Sequence, residues 1–180
     1  MESNVNRYIW KSFVEGDSKA FADLYDLYAE DLFRYGMTIS KDESIVPDLI
    51  QELFIEIWNK RTKLSNIEYP KTYLLKALYY KLLRHSKQPT QPINDLIYLH
   101  EENSAEVSWI LKETQQEQMV ELQKHLKALP ERQRLVLHLK YFQNLSSKQI
   151  GEILDINTQS VSNLLYRGLN SLRKNILKKN

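Results

Sequence analysis

Apolar residues recur at three- and four-residue spacing along most of the 180-residue chain, and nowhere do they alternate with polar ones between turn dipeptides. Only four glycines interrupt the pattern. So few hairpin turns and so regular a helical period predict an all-α fold. Helices are expected near Ala20–Ser40, from about Ser44 to Lys60 and after Pro70. Pro47 and Pro70 fall in first turns, where a missing N–H costs little. From Ser86 to about Glu106 the period breaks in a polar stretch with two prolines, which reads as a flexible linker. The expected organisation is two small helical domains, 7–87 and 107–180, joined by residues 88–106. In the second, one helix stops before Pro130 and a new one runs to Phe142.

With 42% hydrophobic and 27% charged residues the chain can bury a core. It has no cysteine, and its four histidines, His85, His100, His125 and His138, lie far apart without carboxylates at ligand spacing. They read as surface or packing residues, with no metal expected. No GxGxxG or GxxxxGK[ST] arrangement offers a phosphate loop, so neither a cofactor nor catalysis is expected. MESNVNRYIW lacks a basic stretch leading into an apolar run, and no segment approaches about 20 apolar residues, which predicts a cytoplasmic protein without membrane insertion.

Net charge is only +2, yet it is segregated. Glu15 to Glu56 holds eleven acids against three bases. Lys71 to Lys87 holds five bases and no acid, and Pro130 to Asn180 nine bases against three acids. Segregation on this scale suggests an acidic face for a basic protein partner and two basic surfaces for nucleic acid. Any one of these segments alone reads equally as solvated surface.

Leu145 to Leu169, LSSKQIGEILDINTQSVSNLLYRGL, is one helix followed at once by another. Ser146 with Gln149 has capping-box spacing. Ile150 and Leu154 share a face, and Gly151 between them is expected to let a neighbouring helix approach. Ile156, Val161 and Leu164 continue the apolar set, which is helix-turn-helix spacing. Asp155 stands at the turn, where a left-handed residue is needed, and Asn157 or Thr158 caps the second helix. Thr158, Gln159, Ser160, Ser162, Asn163, Tyr166 and Arg167 then face outward, side chains of the kind that meet base edges and phosphates. An ordinary helical hairpin with a polar face is the competing reading.

VPDLIQELFIEIWNK places Asp48, Gln51, Glu52, Glu56 and Asn59 on one stripe and Leu49, Leu53 and Ile57 on the core side. With Phe54 and Trp58 beside it, the stripe is either a docking face for a basic helical partner or a solvated face above two core aromatics.

Taken together, DLIQELFIEIW, then YPKTYLLKALYYKLLRHSK, then LPERQRLVLHLKYFQNLSSKQIGEILDINTQSVSNLLYRGLNSLRK resemble the extracytoplasmic-function (ECF) sigma factors, the small two-domain class of bacterial transcription initiation factors. The resemblance covers nearly the whole chain. It implies that Asp48, Gln51, Glu52 and Trp58 bind the clamp helices of the RNA polymerase β′ subunit. It also implies that the loop Leu64–Tyr69 and the helix after it, with Lys71, Lys76, Tyr80, Arg84 and Lys87, capture the non-template strand of the −10 element. On the residues themselves, Thr72, Lys76, Tyr80, Arg84 and Lys87 form a basic and aromatic stripe opposite Leu74, Leu75, Leu78 and Leu82, suited to holding a backbone while a ring stacks on an unpaired base. Tyr80 stands where many family members carry asparagine.

By the same resemblance, the second domain reads the −35 duplex with Thr158 to Gly168 in the major groove, and core RNA polymerase, promoter DNA and an anti-sigma factor are the partners. Ser162 and Leu164 stand where family members commonly carry basic residues. The competing function is a stand-alone helix-turn-helix regulator binding duplex DNA as a dimer. Its weakness is a first domain resembling neither a phosphoacceptor domain nor a ligand pocket. A helical interaction module without DNA binding would leave both basic segments unexplained.

Overall fold

Trp10 and Phe13 are three residues apart near the start of the chain, and both turn inward from a first helix, α1 (Asn4–Val14). That helix was not foreseen in the sequence and extends the first unit beyond residue 7. The Trp10 indole donates to the Leu64 carbonyl at 3.2 Å, so α1 is fastened to a loop 54 positions away. The computed structural model describes residues 4–40, 42, 44–86 and 122–177. The inferred linker, residues 88–106, lies outside them, as do Lys87 and residues 107–121.

After Gly16, whose φ of +99° suits a residue without Cβ, Asp17 accepts from the Lys19 amide at 2.8 Å and caps α2 (Ser18–Ile39). Ala20, Leu24, Tyr28, Leu32 and Tyr35 form its buried stripe at the spacing of one helical face. α3 (Ile45–Lys60) buries Val46, Leu49, Ile50, Leu53, Phe54 and Ile57, and a 3-10 turn (Arg61–Leu64) follows it. α4 (Pro70–Ser86) begins at its proline and buries Leu74, Leu75, Leu78 and Leu82. Where α2 meets α3, a Cβ on Gly36 would stand 2.5 Å from Val46 Cγ1, so only glycine permits this approach. Rings of Phe13, Phe21 and Trp58 pack at centroid distances of 5.0 to 6.3 Å.

The described part of the second unit opens with a helical stretch at 122–127. After Pro130, α5 (Glu131–Leu137) continues into a wider turn over His138–Phe142, where the Gln143 amide reaches back five residues to the His138 carbonyl. α6 (Ser147–Leu154) and α7 (Thr158–Leu177) complete it. α7 crosses α5 closely: a Cβ on Gly168 would meet Leu137 Cδ1 at 3.0 Å.

The two units are packed together, and one apolar cluster runs through both. Gln143 Nε2 donates to the Asp31 carbonyl at 3.3 Å, Arg134 to the Thr38 carbonyl at 3.4 Å, and Gln149 Nε2 to Thr72 Oγ1 at 3.2 Å. No strand occurs among the described residues.

Candidate nucleic-acid interface

Because α3 buries its leucine and isoleucine stripe, Asp48, Gln51, Glu52, Glu56 and Asn59 are all exposed on the opposite side. The flanking aromatics take a different place. Phe54 is buried, and Trp58 is half-buried in the ring cluster with the Arg61 guanidinium 4.6 Å above it. The wider alternative for this helix, a polar face above core aromatics, therefore describes both rings. Trp58 holds α3 against α1 and α2, and Ile55, 60% exposed in the middle of the acidic face, is the apolar group presented there.

On α4 the basic stripe is uncovered progressively. Thr72 is buried, Lys71 and Lys76 are half-buried, and Tyr80 and Arg84 are exposed. Lys71 pairs with Asp31 at 2.7 Å. Tyr79 packs edge-on to Tyr80 at 5.7 Å, which holds the exposed ring out from the helix. Tyr69, in the loop before α4, is 42% exposed and was not singled out in the sequence. Its hydroxyl bonds Glu68, and that carboxylate pushes the phenol up from its ordinary value.

Lys81 is the basic residue of α4 that does not face outward. It lies three residues after Leu78, on the core side, and its side chain is only 8% exposed. There it bonds Glu56 at 2.6 Å and Glu52 at 3.2 Å, tying α4 to α3. The ammonium holds the Glu56 carboxyl below the usual range. Spacing relative to Leu74 and Leu78 could have revealed the inward turn; the two carboxylates that receive it could not be seen from one helix alone.

The helix-turn-helix forms as its caps require. Ser146 and Gln149 make the reciprocal capping box at 3.3 and 3.0 Å. Asp155 occupies the left-handed region at φ 54°, ψ 49°, and Asn157 caps α7 by accepting from the Ser160 amide at 2.8 Å. Val161 is fully buried, with Leu164 and Leu165 half-buried beside it. Thr158, Gln159, Ser162, Asn163, Tyr166 and Arg167 are exposed, and Ser160 is half-buried. Gln159 Nε2 donates to Asn163 Oδ1 at 3.3 Å, so two amides lie side by side on the open face.

Gly151 is needed for a reason other than the expected neighbouring helix. A Cβ there would stand 2.6 Å from the Ile156 carbonyl oxygen, part of the turn itself, and the Ile156 amide donates to the Gly151 carbonyl at 3.0 Å. Backbone cannot step aside as a side chain can. Gly151→Ala should therefore cost about 1–3 kcal/mol, the range for overpacking, read as a lowered midpoint in denaturant unfolding with the helix content of the folded baseline unchanged.

A family model described as Sigma-70, region 4 matches residues 125–174, which span α5 to most of α7. The chain is 27% identical over 185 residues to the ECF RNA polymerase sigma factor SigW of Bacillus subtilis, covering 98% of both chains. It is 28% identical over 154 residues to the RNA polymerase sigma factor SigZ of the same organism, covering 84% of each. The chain is similar to the ECF sigma factors in its second unit by family model and along nearly its whole length by curated relatives. CnrH, solved in complex with the cytosolic domain of CnrY, shares this chain's fold with a TM-score of 0.69 at 13% identity, covering 98% of this chain and 100% of that one. RpoE from Bartonella quintana, solved with the anti-sigma factor NepR, has a TM-score of 0.61 at 17% identity, covering 87% and 96%. Among the described residues, no helix is long and apolar enough to cross a membrane, and no cluster of three or more His, Asp or Glu could hold a metal.

Proposed function

We propose that this transcription initiation sigma factor divides its work among three helix faces. The acidic face of α3, with Asp48, Gln51 and Glu52 around Ile55, docks on the β′ clamp helices of core polymerase, and Trp58 sets that helix in place. The α4 stripe of Lys71, Lys76, Tyr80 and Arg84, continued in sequence by Lys87, holds the non-template strand of the −10 element. α7 enters the major groove of the −35 element. The first unit, 7–87 with α1 added from Asn4, and the second, from residue 107 onward, are the two promoter-binding domains.

The observation that carries this reading is the chemical separation of the exposed faces. The α3 face is acidic, the uncovered end of the α4 stripe is basic and aromatic, and the α7 face is uncharged and polar up to Arg167. An anti-sigma factor is a further proposed partner, since RpoE of Bartonella quintana, which shares the fold, was solved with the anti-sigma factor NepR. Transcription in vitro with purified core polymerase and a pool of upstream sequences tests the whole. Recovery of no enriched promoter, or failure of the chain to co-elute with core polymerase, would leave the stand-alone regulator as the better account.

The α7 face divides by chemistry. Arg167, a turn beyond the polar set, is placed for phosphate, and Gln159, Ser160 and Asn163 for base edges. Phosphate contacts carry affinity without sequence information, whereas a good base contact discriminates by roughly 1–3 kcal/mol. Arg167→Ala should weaken all promoters alike and reduce the salt slope. Gln159→Ala or Asn163→Ala should flatten preference at one or two upstream base pairs. Holoenzyme binding to a randomised upstream element at two salt concentrations separates the outcomes, and a base-preference change confined to Arg167→Ala would reverse the assignment.

A further inference from the structure

Lysine at position 81 is at odds with its surroundings. Leu74, Leu78 and Leu82 make the buried row of α4, and the Lys81 side chain lies on the same side, 8% exposed. Apolar groups of similar volume often serve such packing as well as a buried ion pair does. What only a cation adds is charge at the edge of the α3 face. Its two acids are placed unlike itself: Glu56, at 2.6 Å, is 48% exposed, and Glu52, at 3.2 Å, is 61% exposed. The ammonium is covered while its carboxylates stay half open to solvent.

Asp48, Glu52 and Glu56 recur every four residues along α3, a row of acids beside the exposed Ile55. Their charges are not equally available. The hydrogen bond from Lys81, with Lys60 and Arg84 acting behind it, holds the Glu56 carboxyl below the usual range. Glu52 shares the same ammonium. Of the row, only Asp48 forms no ion pair among the described residues. The face thus presents less negative charge than its acids alone would give.

Resting on the docking role proposed for α3, we infer that Lys81 is a built-in counter-ion of that face, which holds its affinity for a basic partner below what the row of carboxylates would otherwise give. A partner's cation that meets Glu52 finds the Lys81 ammonium already on that carboxylate, 3.2 Å away. Like charges brought to one acid repel, and solvent screens a covered ammonium less than an exposed one. The partner therefore finds its full counter-charge at Asp48, with Glu52 contributing part. Lys81 touches neither polymerase nor DNA in this arrangement; it sets from beneath how tightly α3 docks.

Lys81→Met roughly keeps the volume and removes the charge. Both carboxylates retain water, so the urea midpoint should stay near that of the parent chain. Calorimetric titration of the full chain into core polymerase should show about tenfold tighter binding at low salt, the gain shrinking as salt rises, because one opposing unit charge has gone. Lys81→Arg, which retains the charge, should bind as the parent does. Lys81→Gln, neutral but still able to donate to Glu56, repeats the measurement with a hydrogen bond kept and should also bind more tightly. A bridge that only held α3 against α4 would give the reverse order: weaker docking in the neutral variants, restored by arginine. Unchanged or weaker docking in a folded neutral variant overturns the counter-ion, and so does equal tightening by Lys81→Arg. If the neutral variants are silent while Asp48→Lys with Gln51→Lys abolishes binding, α3 remains the docking face without a counter-ion; if that pair is silent as well, the docking role itself has failed.

Discussion

Asp48→Lys combined with Gln51→Lys is expected to abolish binding to core polymerase while the chain keeps its fold. Both side chains are exposed on α3, on the side opposite Leu49 and Leu53, and neither makes a hydrogen bond or ion pair that the fold uses. Reversing one charge and adding another against a basic partner costs several kcal/mol, since like charges brought together in an interface repel while losing solvent. Glu52 is the tempting third site, but Glu52→Lys would set a second ammonium beside the buried Lys81 and confound docking with stability. Ile55→Ala supplies the apolar half of the test: loss of an anchor at the centre of the face should weaken binding with little change in salt dependence. Binding of labelled chain to core polymerase at two ionic strengths is the measurement. Undiminished affinity in the double variant would remove α3 from the interface.

Much of the fold was legible because helices announce themselves locally. Pro47, Pro70, the capping box at Ser146 and the polar cap Asn157 each fix a helix start within a few residues, and the structure uses every one of them. Asp155 could be assigned to the turn because few non-glycine residues tolerate φ near +54°. What remained hidden depends on contacts between distant segments. α1 is short, and only its pairing with the Leu64 carbonyl and the Phe21 and Trp58 rings makes it part of the core. The role of Gly151 was readable as a close approach but not as an approach of the turn's own carbonyl. The joint between the units was not readable at all. Gln149 looks complete as a capping residue, and nothing in its sequence neighbourhood reports that its remaining N–H reaches Thr72, 77 positions earlier.

The same limit applied to charge. Five bases from Lys71 to Lys87 suggested one basic surface, yet Lys71 and Lys81 are both spent on carboxylates of the first unit, Asp31 for one and Glu52 with Glu56 for the other. A charge count along a helix overstates the field it presents when acids on neighbouring helices lie within reach. The acidic α3 face and the basic α4 stripe are therefore not independent surfaces. They are joined through Lys81, which fixes the angle between the helix proposed for polymerase and the helix proposed for the strand.

Removing both partners of Lys81 should expose how much that link contributes. In Glu52→Gln with Glu56→Gln, an ammonium with 8% of its side chain exposed loses both opposing charges. Stripping a buried charge of its partners destabilises by roughly 3–5 kcal/mol, because the desolvation cost stays while the attraction goes. Either single change should cost much less, since the other carboxylate remains in place. Replacing the ammonium as well, in the triple variant with Lys81→Leu, should restore most of the stability, as apolar groups of similar volume often replace a buried ion pair without loss. Acid should act in the same direction. The folded-state value of Glu56 is depressed, so its contribution is present above the unfolded value and fades as pH falls through the lower folded one. Urea unfolding at neutral pH and again near the carboxylate range gives the comparison, and the double variant should lose part of the acid sensitivity of the parent chain. A double variant as stable as its parent, or a triple variant no better than the double, would mean that Lys81 reaches water after all and that its carboxylates belong wholly to the docking face.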